Sequence, residues 1–176
     1  MSESSPRASS AQQRAQSGLS RRQFLGTVAA AGLAAELTMP RPTWAAKRAN
    51  KDTLRIGMVG IGKQGQDLLN NLLEKPDGVE IIAVCDIWEW NLGRAYRLCK
   101  RSGHQNVQRF ENHQQMLEAL KDQLHGVFVA THDIHHAKIT NDCLKEGIAV
   151  YCEKEMATNL EEAASMVRTA RETGTL

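Results

Sequence analysis

The chain lacks a dominant charge. Its formal net charge is +2, and from Lys47 onward 17 basic side chains stand against 18 acidic ones. No basic face is left to attract a nucleic acid backbone. The four cysteines, Cys85, Cys99, Cys143 and Cys152, include no C-x-x-C pair, so the spacing of a structural zinc site is missing. They read as small buried hydrophobes. A membrane-spanning run is missing too. The apolar stretch Thr27–Met39 is mild, rich in Ala and Gly and interrupted by Glu36, and it falls short of the roughly 20 residues a bilayer requires. No repeat of fixed period and no low-complexity tract follows residue 46. What remains is a chain of 176 residues, 41% hydrophobic and 24% charged, enough for one soluble domain and a tail.

The first 46 residues read as an address. Residues 1–20 are rich in Ser, Gln, Ala and Arg without apolar period, a composition expected to be disordered. Ser20-Arg21-Arg22-Gln23-Phe24-Leu25-Gly26 resembles the twin-arginine translocation motif, with Gly26 where a Lys is common. Pro40 and Pro42 break the apolar run behind it, and Trp44-Ala45-Ala46 supplies small residues for a signal peptidase. The alternative for this segment is an amphipathic helix packed on the domain. The resemblance implies export of an already folded protein through the twin-arginine translocase, which suits a protein that loads its cofactor in the cytoplasm. Residues 47–53 read as a linker.

From Leu54 onward strands and helices alternate. Apolar, β-branched runs at Leu54–Val59, Val79–Cys85, Val107–Phe110, Gly126–Ala130 and Ile148–Cys152 predict strands. Helices are expected over Gln66–Glu74, Trp88–Lys100, Gln114–Leu124, His135–Glu146 and Leu160–Glu172. Pro76-Asp77-Gly78 is a breaker, and Gly147 and Gly174 are expected C-caps. The last helix is expected to turn Leu160, Ala163, Ala164 and Val167 inward. This order gives right-handed βαβ units and a doubly wound parallel α/β sheet, the Rossmann dinucleotide-binding fold, over residues 54–176. In that fold Cys85 and Cys152 end strands that are not neighbours, and Cys99 and Cys143 fall on helices covering opposite faces, so disulfides within these pairs are not expected.

Gly60-Ile61-Gly62-Lys63-Gln64-Gly65 fits G-x-G-x-x-G directly after a strand and at the start of a helix, the context a dinucleotide site needs. Gly60 allows the tight turn, Gly62 lets backbone approach a pyrophosphate, and Gly65 lets helix and strand pack closely. The helix N-terminus supplies free N–H groups and a positive dipole. Asp86 ends the second strand, 21 residues after Gly65, where a carboxylate accepts from ribose hydroxyls and repels a 2′-phosphate. NAD is therefore expected rather than NADP, with Ile87 beside the ribose. The alternative for Asp86 is a helix N-cap.

Two further segments carry a resemblance. Thr131-His132-Asp133-Ile134-His135-His136-Ala137 looks like the T-P-x-x-x-H-A segment, and Tyr151-Cys152-Glu153-Lys154-Glu155-Met156-Ala157 like the E-K-P-M-A segment, of the Gfo/Idh/MocA oxidoreductases. The chain resembles that family over residues 54–176. The resemblance implies that Lys154 reaches substrate and nicotinamide as the catalytic residue, that Glu153 neighbours the nicotinamide ribose, and that Thr131, His132 and His136 line the cofactor cleft. Physically, a Lys beside a reacting hydroxyl can assist proton transfer; its alternative is a solvated loop lysine. Glu155 and His132 each stand where the family has Pro. His132, His135, His136 and Asp133 invite a metal reading, but adjacent His135 and His136 do not readily face one ion, and no metal site is expected.

The family has a second α/β domain that supplies the substrate pocket, so a chain ending where a sixth strand would start reads as apparently truncated. The expected activity is NAD(P)-dependent oxidation or reduction of a sugar or polyol hydroxyl. The alternatives are an NAD-dependent glycosidase, as in one branch of the family, and a non-catalytic dinucleotide-binding module. Self-association is left open.

Overall fold

The structure is a computed structural model that describes residues 53–74 and 78–176. The expected leader at 1–46, nearly all of the linker at 47–53, and Pro76 and Asp77 of the breaker lie outside the described residues.

Five parallel strands form one sheet. In chain order the elements are β1 (Leu54–Val59), α1 (Lys63–Leu73), β2 (Val79–Cys85), α2 (Glu89–Arg101), β3 (Gln108–Phe110), α3 (His113–Leu120), β4 (Gly126–Val129), a 3₁₀ turn (Asp133–His135), α4 (His136–Lys145), β5 (Ala149–Cys152) and α5 (Leu160–Thr173). The strand order is β3-β2-β1-β4-β5. The chain winds outward from β1 in one direction and then in the other, which puts the topological switch point at the carboxyl ends of β1 and its neighbours. Register runs Val59 against Cys85 on one side and against Val129 on the other, so three strand ends are level there.

Near-continuous apolar strands are what a sheet buried on both faces requires. Alternate residues divide between two cores. Ile56, Met58, Ile81 and Val84 pack with Leu69, Leu92, Ala95 and Cys99 of α1 and α2. Val59, Ile82, Cys85, Val127 and Val129 pack with Met116, Leu117 and Leu120 of α3 and Ile139 and Cys143 of α4. Cys99 and Cys143 thus sit in opposite cores, and Cys85 and Cys152 end strands separated by β1 and β4; all four thiols are free. No helix among the described residues is long and apolar enough to cross a membrane.

The boundaries shift where local hydrogen bonding outweighs periodicity. α1 starts at Lys63 rather than Gln66 because the glycine loop is already its first turn, with Gln66 N–H donating to Gly62 O at 2.9 Å. α3 stops at Leu120, where a tight turn (Gln123 N–H to Leu120 O, 2.8 Å) drops Leu124 into the core. In α5 the expected inward face is corrected. Leu160 and Val167 are exposed, while Met166 and Thr169 are buried and Ala163 and Ala164 half-buried. Asn159 sets the phase, its side chain accepting from Glu162 N–H at 2.9 Å, a cap of about 1 kcal/mol. The stripe that follows runs through 162, 166, 169 and 173 at helical spacing. Gly174, at φ 64°, closes this helix as expected. Leu176 lies beside β5, its carbonyl accepting from Val150 N–H at 2.7 Å.

The loop from α2 to β3 is tied to the sheet by His104, whose Nδ1 accepts from Ile81 N–H at 3.1 Å. Burial holds the His104 imidazole below its ordinary value, against an opposing pull from Glu80. The folded state therefore favours neutral His104, and its contribution is lost as pH falls from the unfolded value of about 6.5 downward. A His104→Asn chain keeps an acceptor near that position without a titrating ring. Its melting temperature should fall less than that of the parent between about pH 7.5 and about pH 5; equal falls would remove His104 from the account.

Candidate functional site

The glycine loop is packed against its own protein at two glycines and open at the third. Gly60 adopts φ +86°, and a Cβ there would come 2.6 Å from the backbone of Ala130 and Thr131. A Cβ on Gly65 would collide with the carbonyl oxygen of Gly60. A Cβ on Gly62 would meet nothing within 4 Å, although Gly62 is the N-cap of α1 and no side chain caps that helix. The position is left clear at the N-terminus of α1, where the first N–H groups of a helix have no intrahelical partner. Lys63 donates along the helix to Asp67 at 2.9 Å, so its ammonium is held away from the loop. Ile61 is fully buried, and Gln66 Nε2 donates to its carbonyl at 3.1 Å.

Asp86 is tied directly to this loop. Ile61 N–H donates to its Oδ2 at 2.6 Å, Trp88 N–H to its Oδ1 at 2.8 Å, and Asn91 Nδ2 lies 3.4 Å from Oδ2. Oδ2 is filled by its two donors, and Oδ1 keeps a lone pair for a hydroxyl donor. The residue at the N-cap of α2 is Trp88, not Asp86. Ile87 is 93% exposed on the rim, next to Trp88 and Trp90, whose ring centroids are 5.5 Å apart.

The ends of β4 and β5 complete the edge. Glu153 N–H donates to Val129 O at 2.9 Å. The Glu153 side chain is buried, accepting from Gln64 Nε2 at 3.0 Å and from Lys154 N–H at 3.1 Å. His136, 1% exposed, places Nδ1 2.6 Å from Glu155 O and Nε2 3.1 Å from Thr131 O. A carbonyl oxygen only accepts, so the shorter contact puts a proton on Nδ1. Thr131 Oγ1 donates to His132 O at 3.2 Å, and His132 itself is exposed. The Lys154–Glu155 peptide is cis. Lys154 is exposed, and its ammonium has no partner among the described residues. Among those residues no three His, Cys, Asp or Glu side chains converge on one point.

The structure thus gathers Gly60, Ile61, Gly62, Gln64, Gly65, Asp86, Thr131, His136, Glu153 and Lys154 at one sheet edge. It leaves the side chains of Lys63, Ile87 and His132 on the surface around it. Gln66 and Asn91 belong to the site and were not expected; a polar side chain five residues after Asp86 was the available signal.

Residues 54–176 match the oxidoreductase family described as having an NAD-binding Rossmann fold, Gfo/Idh/MocA. The chain belongs to this family. It is 31% identical over 162 residues to a glycosyl hydrolase family 109 protein of Stenotrophomonas maltophilia, covering 89% of this chain and 34% of that protein. It is 29% identical over 127 residues to an inositol 2-dehydrogenase of Rubrobacter xylanophilus, covering 72% and 34%. Among solved structures, the WlbA dehydrogenase of Chromobacterium violaceum in complex with NADH and UDP-GlcNAcA superposes with a TM-score of 0.65 at 25% identity, covering 78% of this chain and 36% of that one. The chain spans about a third of the length of these relatives.

The residues present fit NAD. Gly62 leaves the space a phosphate needs beside the helix N-terminus, and Asp86 keeps acceptor capacity at the end of β2. Gly62 and Gly65 should therefore respond differently to the same change. Gly62→Ala should melt within about 0.5 kcal/mol of the parent, an ordinary surface effect, yet lose NADH affinity. Gly65→Ala should lose stability outright. Fluorescence titration with NADH beside thermal melts checks this pair, and unchanged affinity in Gly62→Ala would show that the loop does not hold the pyrophosphate.

Proposed function

We propose that the chain is the cofactor-binding domain of an NAD-dependent oxidoreductase acting on a hydroxyl of a sugar or polyol, exported by the twin-arginine route. The observation that carries the reading is at the end of β5. An unpartnered Lys154 ammonium follows a buried, fully oriented Glu153 carboxylate, on the sheet edge where Gly62 lies open.

Bound NAD supplies a hydride acceptor or donor at nicotinamide C4. The chain's own residues do the rest. Gly62 and the N–H groups of α1 would hold the pyrophosphate, Asp86 the adenosine ribose and Glu153 the nicotinamide ribose. Lys154 would hydrogen-bond the reacting hydroxyl oxygen, its neutral amine taking the proton when the hydroxyl is oxidised and its ammonium returning one when the carbonyl is reduced. Asp86 disfavours a 2′-phosphate by charge, so NAD is preferred to NADP. The resemblance of the inositol 2-dehydrogenase supports the polyol class, and the paired Arg21 and Arg22 support the export route.

A glycosidase that oxidises its substrate transiently on bound NAD is the second reading. The alignment with the glycosyl hydrolase family 109 protein spans 162 residues. That exceeds the 123 residues from Leu54 onward, so the likeness reaches into the segment before the Rossmann domain.

The product of the whole gene, assayed at 340 nm with sugars and polyols and with NAD and NADP in parallel, should form NADH. Lys154→Met should lower the rate about 10²- to 10⁴-fold while NADH still binds. No reduced cofactor with any polyol, together with cleavage of an aryl glycoside, would move the assignment to the glycosidase; faster turnover with NADP would overturn the cofactor preference. For export, Arg21→Lys with Arg22→Lys should retain the protein in the cytoplasm of a twin-arginine-competent host, and unchanged secretion would sink that part.

A further inference from the structure

Gln64 and Glu153 lie 89 residues apart and belong to different motifs, yet they meet directly. Gln64 Nε2 donates to Glu153 Oε1 at 3.0 Å. Gln64 sits one residue into α1, exposed, among the positions of the glycine loop whose usual work is done by backbone. Glu153 is buried to 8% exposure. A carboxylate removed from water must have its oxygens satisfied. Here Oε2 is held by the N–H of Lys154, and Oε1 is held by Gln64. Removing Gln64 would leave one oxygen of a buried carboxylate without its donor and free to rotate. With Gln64 in place, each oxygen has one protein donor and one remaining lone pair in a fixed direction.

We propose that Gln64 is a positioning residue that acts on the cofactor through Glu153, by fixing the carboxylate that receives the nicotinamide ribose hydroxyls. This rests on the NAD site described above and assigns Gln64 a role there that differs from phosphate contact. Four features agree with it. The bond joins the loop under the pyrophosphate to the residue beside the nicotinamide ribose. Its acceptor is anchored at the backbone as well, Glu153 N–H to Val129 O. The adjoining Lys63 ammonium lies 2.9 Å from Asp67 and makes no contact with Glu153. Lys154 follows Glu153 directly, so the orientation of that carboxylate also sets the frame from which the ammonium projects.

A double-mutant cycle read by NADH fluorescence separates the two roles. Gln64→Met should weaken NADH binding about three- to tenfold, the equivalent of one ordinary hydrogen bond. In a Glu153→Ala background the same substitution should change nothing. Should Glu153→Ala fold poorly, Glu153→Leu fills the same buried space, and Gln64 is exposed, so its variants fold. A loss of equal size in both backgrounds would show that Gln64 touches the cofactor directly and overturn the proposal. So would no loss in either background. If the parent chain itself does not bind NADH, the reading of the site fails and takes the proposal with it; parent binding with additive losses sinks the proposal alone. Thermal melts of the same four chains without cofactor should show matching non-additivity, because the bond exists in the free protein.

Discussion

Everything at the sheet edge depends on how closely α1 crosses the end of β1. The passage is narrow enough that no side chain fits at Gly65 beneath the Gly60 carbonyl, nor at Gly60 against the backbone of Ala130. That closeness has two consequences. It brings the end of β4 under the glycine loop, with Ala130 N–H donating to Val59 O at 2.8 Å. It also directs Ile61 N–H at the Asp86 carboxylate on the other side. The strands flanking β1 are therefore both keyed to one loop. An acidic residue at the end of β2 consequently does more than wait for a ribose: it accepts a buried loop N–H that would otherwise be unpaired, a cost of about 1–3 kcal/mol.

His136 performs the corresponding job on the other half of the edge. Its ring, enclosed almost completely, spans from the carbonyl of Thr131 after β4 to the carbonyl of Glu155 after β5. Glu155 is thus fixed on one side of Lys154. Glu153 is fixed on the other, through Val129 and Gln64. The backbone of Lys154 is held from both sides while its ammonium is left without a partner. A flexible side chain on a rigid base suits a group that must meet a mobile proton on a bound substrate. It also accounts for a histidine placed in the site yet shut away from solvent: its Nδ1–H is occupied in holding the Glu155 carbonyl.

The fold was legible because its signals are local and redundant. Short β-branched runs, the Gly-rich turn and Asp86 lie within about 35 residues of one another, and each supports the same α/β order. What stayed hidden depends on contacts across the chain. Nothing near Gln64 in sequence announces Glu153, 89 residues further on. Leu160 and Val167 were misassigned for a related reason. In a helix with Ala163, Ala164, Met166 and Val167 along its middle, more than one apolar stripe is available. The phase was decided by the cap at Asn159 and by packing against α4, not by the count of apolar residues. A hydrogen bond between Asn141 Nδ2 and Ser165 Oγ, 2.9 Å, fixes the same rotation of α5 over α4.

The cysteines bear on the proposed export route. Thiols carried out of a reducing cytoplasm are exposed to disulfide formation, which proceeds through the thiolate. Burial opposes that form here. It pushes Cys85 up to about 12, with Asp86 adding to the effect, and Cys143 up to about 12, with Asp142 and Cys85 adding. Cys99 is pushed up to about 11 by burial, partly offset by a backbone hydrogen bond. Cys152, the least enclosed, is raised as well and points its thiol toward Glu153 O at 3.5 Å. Cys85, Cys99 and Cys143 are therefore protected by the packed sheet around them, and that protection exists only once the domain is folded. A route that moves the chain folded keeps these three thiols covered throughout, whereas threading it unfolded would present all four to the oxidant before either core had closed.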